Sequence, residues 1–183
     1  MTTLAPSQPR VGRLTLVGVV GFAAAVAAAS QIAIPLPGTP VPFTLQPMLV
    51  ILAGMWLGPI AGASSMVLYL ALGAVGLPVF TPIGAPGIAR FFGPTGGYLI
   101  AYPAAAFIAG ILARRATGFG GRLAAGVAGI VVIFVGGIAQ LSLLDASLVR
   151  ALQLGLTPFA ALDLVKAFIA AGISGPRVAR RHT

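Results

Sequence analysis

RLAAGVAGIVVIFVGGIAQLSLL, which spans Arg122–Leu144, is the stretch of this sequence that decides the fold. It carries no charge after its first residue, and about 20 mostly apolar residues suffice to cross the hydrocarbon core of a bilayer. A membrane-spanning strand would alternate in polarity and would measure only about ten residues. This stretch therefore predicts a transmembrane α-helix.

The rest of the chain has the composition of a membrane protein. Of its 183 residues, 58% are hydrophobic and 7% are charged, whereas a typical soluble domain has about 25% charged residues. Further apolar runs, separated by Pro- and Gly-rich loops, lie on both sides of the first stretch. We predict an all-α integral membrane protein with a single six-helix domain over residues 1–183. The predicted spans are at about residues 14–34, 43–57, 60–77, 95–113, 122–144 and 155–172.

The basic residues are interpreted as topology determinants, with no nucleic-acid partner, although the formal net charge is +9. Cytoplasmic loops of membrane proteins are enriched in Lys and Arg. With the N terminus inside, only Arg90 and Arg150 lie in outer segments. The inner segments hold Arg10, Arg13, Arg114, Arg115, Arg122, Arg177, Arg180 and Arg181. We therefore expect both termini to be cytoplasmic.

Two charged residues, Asp163 and Lys166, interrupt the sixth predicted span. At about 1.5 Å per residue they would lie near mid-membrane, where each charge costs about 2.5–3.5 kcal/mol. A spacing of three places them on one helix face. The pair is either a mutually neutralising clamp or the wall of a polar cavity that opens to the outside. In such a cavity, an acceptor and a donor side by side match a urea or an amide.

Polar residues near the outer ends of the spans are further candidates for ligand binding. Arg90 interrupts the apolar GIARFFGPTGGYL in a long Gly- and Pro-rich loop, a kind of loop that often forms a lid. Its guanidinium is either solvated, bound to lipid phosphate, or a bidentate partner for a ligand carboxylate. Thr44, Gln46 and Tyr98 lie near the outer ends of the second and fourth spans.

Small residues recur every four positions in the first predicted span. This spacing places them on one helix face, where a second backbone can approach closely. The face either packs inside the bundle or docks a second membrane protein. The repeats are Gly21/Ala25/Ala29, Ala23/Ala27 and Ala24/Ala28.

Missing motifs make an enzyme improbable. The chain has no G-x-x-x-x-G-K-[ST] sequence to cradle ATP phosphates and no cysteine. His182 is the only histidine, and the two acids, Asp145 and Asp163, lie on different elements. We expect no catalytic residues and no metal site.

Four segments of the chain follow the order and spacing of a known family. They are SQIAIPLPGTPVPFTLQ (residues 30–46), GLPVF (76–80), GPTGGYLIAYPAAAFIAG (93–110) and LDLVK (162–166). Together they resemble the BioY family, the biotin-binding S components of energy-coupling factor (ECF) vitamin transporters. One departure is the loop Thr81–Ile88, which carries prolines where mostly small residues are expected.

The resemblance implies a subunit of the prokaryotic plasma membrane that captures biotin from outside, without a cofactor. It assigns the ureido ring to Asp163 and Lys166 and the valerate carboxylate to Arg90. It also implies a transmembrane coupling protein and two cytoplasmic ATPases as partners. The first helix would contact the coupling protein through an Ala-x-x-x-Ala face whose register is open, among Ala23, Ala24, Ala25, Ala27, Ala28 and Ala29.

Two other functions remain open. The first is an S component for another vitamin, although a thiamine or flavin pocket would want more stacking aromatics than one Trp and three Tyr provide. The second is a structural or channel-like bundle in which Asp163 and Lys166 only hold helices together.

Overall fold

The computed structural model describes residues 12–175. Several residues that entered the sequence argument therefore lie outside the described part, namely Arg10, Arg177, Arg180, Arg181 and His182.

Helices make up nearly all of the regular structure in residues 12–175. The α-helices are α1 (Arg13–Gln31), α2 (Gln46–Leu57), α3 (Pro59–Ala74), α4 (Gly96–Arg115), α5 (Phe119–Asp145), α6 (Leu148–Gly155) and α7 (Ala160–Ile173), with a 3₁₀ helix at Gly87–Phe92. By length and composition, α1, α4 and α5 can each cross a membrane, and there is a fourth candidate span if α6 and α7, which are bent by 52° relative to each other, are counted as one. The helices α2 and α3 are shorter and apolar. The prediction of an all-α membrane bundle is confirmed.

Glycines allow α2, α3 and α4 to pack backbone against backbone. A Cβ atom on Gly62 would lie 2.7 Å from the Cα of Gly54, and one on Gly110 would lie 2.6 Å from the nitrogen of Pro59. Small residues permit this approach in a membrane, where close packing rather than the hydrophobic effect drives helix association. The contacts hold the two short helices against the longer α4.

The segment between α1 and α2 folds back as a tight hairpin. The amide of Ile34 donates to the carbonyl of Phe43 at 2.9 Å, and the amide of Phe43 donates to the carbonyl of Ile34 at 2.8 Å. Gly38 occupies the turn with φ +82°, a conformation that favours glycine. The Oγ1 of Thr39 donates to the carbonyl of Leu154 at 2.7 Å, which ties the hairpin to α6.

The sixth predicted span is broken, in contrast to the single helix expected over residues 155–172. The amide of Phe159 donates to the carbonyl of Leu156, not to Gly155, whose carbonyl instead accepts from the Tyr98 hydroxyl at 3.0 Å. Pro158 also has no amide hydrogen to continue a helix. Asp163 therefore lies in the first turn of α7, where the helix dipole favours a negative charge, and not in the middle of one long helix.

Candidate functional site

An open cavity lies between the first turns of α2, α4 and α7 and the loop after α3, with about 600 Å³ of empty space when its mouth to solvent is included. All six residues that the sequence nominated for ligand binding line it: Thr44, Gln46, Arg90, Tyr98, Asp163 and Lys166. The structure therefore brings together residues that are up to 122 positions apart in the chain.

Asp163 and Lys166 form a buried pair on the cavity wall, each with 4% of its surface exposed. The Lys166 Nζ donates to Asp163 Oδ1 at 2.6 Å and to the carbonyl of Thr44 at 2.7 Å. It also lies 4.1 Å from the ring centre of Phe43. An ammonium has three donors and a carboxylate two acceptor oxygens. Within residues 12–175, one Lys166 donor and the Asp163 Oδ2 have no hydrogen-bond partner.

A hydrogen-bonded chain continues from Thr44 along the wall. The Thr44 Oγ1 donates to Gln46 Oε1 at 3.2 Å, and the Gln46 Nε2 donates to the Tyr69 hydroxyl at 2.7 Å. All three side chains are buried. Tyr69 was missed from the sequence. The only indication of its role is a hydroxyl in the middle of an apolar span, which needs a polar partner.

Tyr98 joins the cavity wall to the break between α6 and α7. Its hydroxyl donates to the carbonyl of Gly155 at 3.0 Å. Its ring covers Gly137, where any Cβ atom would overlap the ring. The predicted ligand contact is thus also a structural link between α4, α5 and α6.

Arg90 is neither solvated nor lipid-exposed, since only 5% of its surface is accessible. Its Nη1 donates to Thr81 Oγ1 at 3.1 Å and to the carbonyl of Ile83, and its Nη2 donates to the carbonyl of Thr81 at 2.5 Å. The Nε is buried without a partner in the described part of the chain. Burial lowers the pKa of Arg90 from its ordinary value, yet a guanidinium keeps its proton in proteins.

The cavity has an excess of one positive charge. Its charged lining residues are Asp163, Lys166 and Arg90, and the first two neutralise each other. A low-dielectric cavity with one unbalanced cation favours an anionic ligand. The arrangement therefore fits a monoanion that carries a separate, neutral polar group.

Aromatic side chains form much of the remaining wall. All three tyrosines of the chain line the cavity, together with three phenylalanines: Tyr69, Tyr98, Tyr102, Phe80, Phe134 and Phe159. The Tyr69 ring stacks on Tyr102 with a centroid distance of 6.4 Å and meets Phe80 edge-on at 5.4 Å. The fold thus brings six aromatic rings from separate parts of the chain together at one place.

The alanines of α1 separate into different faces. Ala23 is buried in the core, with 2% of its surface exposed. Ala24 and Ala28 are exposed, and a Cβ on the neighbouring Gly21 would meet nothing within 4 Å. The others are half-buried, namely Ala25, Ala27 and Ala29. The outer face of α1 is thus the one with Ala24 and Ala28.

Known proteins resemble the chain over most of its length. The model of the BioY family matches residues 5–182. The chain is 39% identical over 153 residues to the biotin transporter BioY of Thermotoga maritima, covering 84% of this chain and 89% of the relative. It is 41% identical over 146 residues to a probable biotin transporter BioY of Pyrococcus horikoshii, covering 80% and 85%.

A solved structure has the same fold. The crystal structure of the S-component for biotin from an ECF-type ABC transporter superposes with a TM-score of 0.81 at 30% sequence identity. The match covers 94% of this chain and 93% of the solved one. From the family match and these full-length relatives, we conclude that the chain belongs to the BioY family.

Proposed function

We propose that the chain is the substrate-binding membrane subunit for biotin uptake and that it delivers biotin through an ATP-driven ECF complex. Relatives that match most of the chain are named biotin transporters, and the solved structure is an S-component for biotin. The chain is a transport subunit and not an enzyme. Biotin is its cargo and not a cofactor.

The charge balance of the cavity is the observation that carries this proposal. Biotin has a neutral ureido ring, an apolar thioether ring and one carboxylate. The Asp163 Oδ2 can accept a ureido N–H, and the remaining donor of Lys166 can reach the ureido oxygen. The carboxylate would pair with Arg90, which supplies the one unbalanced charge.

The polar and aromatic wall would hold the rest of the ligand. Thr44 fixes Lys166 through its carbonyl, and Gln46 orders Tyr69. The rings of Tyr98 and Tyr102 offer apolar surface to the fused bicycle. A cationic vitamin such as thiamine would place a second positive charge beside Arg90, which makes it a poor ligand.

The positions of the arginines support a cavity that opens to the outside. The cavity lies at the start of α4, whereas Arg114 and Arg115 end that helix. Near the same end, the Arg122 Nε donates to the carbonyl of Ala171 at the end of α7. Because cytoplasmic ends collect Lys and Arg, the cavity would face outward and both termini would be cytoplasmic. The membrane would be the prokaryotic plasma membrane.

ECF-type assembly supplies the energy in this proposal. The partners would be a transmembrane coupling protein and two cytoplasmic ATPase subunits. The exposed face of α1 with Ala24 and Ala28 would contact the coupling protein, since its small side chains permit close helix approach. Ala23 would instead serve packing inside the subunit.

The experiment that tests the proposed ligand is a titration of the purified, detergent-solubilised chain with biotin. Desthiobiotin, which keeps the urea and the carboxylate, and thiamine serve as comparators. We expect one-to-one binding of biotin, binding of desthiobiotin, and no binding of thiamine. Folded protein that bound thiamine, or that failed to bind biotin, would contradict the proposal.

A further inference from the structure

The guanidinium of Arg90 is held by a closed set of hydrogen bonds in the loop after α3. Thr81 Oγ1 accepts from Arg90 Nη1 at 3.1 Å and donates to the carbonyl of Ile83 at 3.2 Å. The Ile83 carbonyl also accepts from Nη1, and the Thr81 carbonyl accepts from Nη2. Three of the five guanidinium N–H groups are therefore bound by two loop residues.

These bonds leave one edge of Arg90 free. The Nε–H and the second Nη2–H of a guanidinium point in parallel along the same edge and can bind both oxygens of a carboxylate. Among the side-chain nitrogen and oxygen atoms that are completely buried in the described part of the chain, only Arg90 Nε has no hydrogen-bond partner. A buried, unpaired N–H group is unfavourable, so this edge requires an acceptor. Arg90 lines the ligand cavity, which is where the acceptor would be found.

Gly84 leaves the space that the Arg90 guanidinium occupies. Its φ of +107° favours glycine, and a Cβ atom at this position would lie 2.5 Å from Arg90 Nη1. A side chain here would push the guanidinium out of its hydrogen-bonded position. The loop residues Thr81, Ile83 and Gly84 thus determine where Arg90 points.

We propose that Thr81, with Gly84, is a positioning residue that sets the preference of the subunit for a free carboxylate over its neutral amide. Thr81 orients Arg90 so that its free edge meets the carboxylate. This inference rests on the proposed function, because it takes biotin as the ligand. Thr81 itself lines the cavity, and the inference assigns its hydroxyl a role in specificity through the guanidinium that it binds.

The test compares the dissociation constants of biotin and biotinamide for purified variants in detergent. Thr81→Val keeps the shape but removes the hydroxyl, and Thr81→Ser restores it. We expect Thr81→Val to reduce the preference for biotin roughly three- to tenfold, the effect of one or two hydrogen bonds. The loss should come from weaker biotin binding, with biotinamide affinity unchanged. Thr81→Ser should keep the wild-type preference.

A second pair of variants tests the same role without changing Thr81. Gly84→Ala and Gly76→Ala both introduce backbone strain, since φ is +107° at Gly84 and +95° at Gly76, but a Cβ on Gly76 would meet nothing within 4 Å. Gly84→Ala should reduce the preference, and Gly76→Ala should keep it. Thermal unfolding shows whether Thr81→Val is folded. If it is not, the glycine pair tests whether the loop positions Arg90.

Two outcomes would overturn the inference while leaving the proposed function intact. One is an unchanged preference in Thr81→Val and Gly84→Ala. The other is an equal loss of affinity for both ligands, which would indicate a purely structural loop. Failure of the folded wild-type chain to bind biotin would instead contradict the proposed function, and this inference with it.

Discussion

At the scale of single residues, Asp163 and Lys166 are charges that are unfavourable in a membrane but available to bind a ligand. The first turn of α7 and the carbonyl of Thr44 stabilise the pair, while Asp163, which lines the cavity, leaves its Oδ2 without a protein partner in the described residues. Both residues could be recognised as candidate ligand-binding residues from the sequence, because charges in an apolar run are conspicuous. The second partner of Lys166, the carbonyl of Thr44, could not be predicted, since any residue type has a backbone carbonyl.

Removal of the carboxylate should weaken ligand binding. Asp163→Ala leaves the ureido donors and Lys166 without an acceptor, and we expect a loss of at least about 1–3 kcal/mol in biotin binding. Isothermal titration of the folded variant measures it. Affinity close to that of the wild type would exclude Asp163 from the site.

Removal of both charges separates a ligand site from a helix clamp. Replacing a buried ion pair with apolar residues is often neutral or stabilising, so the double variant Asp163→Leu with Lys166→Met should fold with an unchanged or higher Tm. We expect it to lose biotin binding. A double variant that still bound biotin with wild-type affinity would support the clamp instead.

At the scale of elements, two features stand out: the α6–α7 break, which places Asp163 in the first turn of α7, and the buried and exposed faces of α1. The apolar runs were sufficient to predict helices, because their length and their lack of alternating polarity can be read directly from the sequence. Pro158 is a sign of the α6–α7 break that the sequence prediction overlooked, whereas the bond from the Tyr98 hydroxyl to the Gly155 carbonyl, 57 residues away, could not be predicted. Similarly, an alanine-rich helix shows its buried face only when its neighbours are known.

The link between α4 and α6 should contribute to stability. Tyr98→Phe deletes the bond to Gly155, and we expect it to lower the free energy of unfolding by about 0.5–1.5 kcal/mol. Thermal unfolding in detergent monitors the effect. Tyr102→Phe is the matched control, because no hydrogen bond of the Tyr102 hydroxyl is present among residues 12–175. Equal Tm values for the two variants would argue against the link.

The outer face of α1 should matter for transport and not for binding. Ala24→Leu with Ala28→Leu adds bulk to an exposed face, so biotin affinity of the isolated chain should be unchanged. Biotin uptake by cells that express the chain with its ECF partners should fall. Ala104→Leu, at an exposed position of α4, should leave uptake intact. Normal uptake by the double variant would rule out this face as the contact.

At the scale of the whole molecule, the arginine-rich end and the cavity lie at opposite ends of the bundle. The sequence contained the charge asymmetry but not the aromatic wall, because its rings come from separate helices and loops that only the folded bundle brings together. The natural chain has no cysteine, which makes the orientation directly measurable.

Single cysteines at the two ends should label from opposite sides. Ala85 lies in the loop after α3 and Thr117 between α4 and α5, and both are exposed. On intact cells, a membrane-impermeant maleimide should label Ala85→Cys and leave Thr117→Cys unlabelled until the cells are lysed. The reverse pattern would invert the proposed topology.

The single unbalanced charge of the cavity also affects how the empty and loaded subunits differ. Without ligand, Arg90 gives the cavity a net positive charge, which is costly to remove from water. A bound monoanion would make the same cavity electrically neutral. Any motion that carries the site away from the outer solution would then have a lower desolvation barrier in the loaded subunit than in the empty one. The bound cargo itself would therefore favour the transport step.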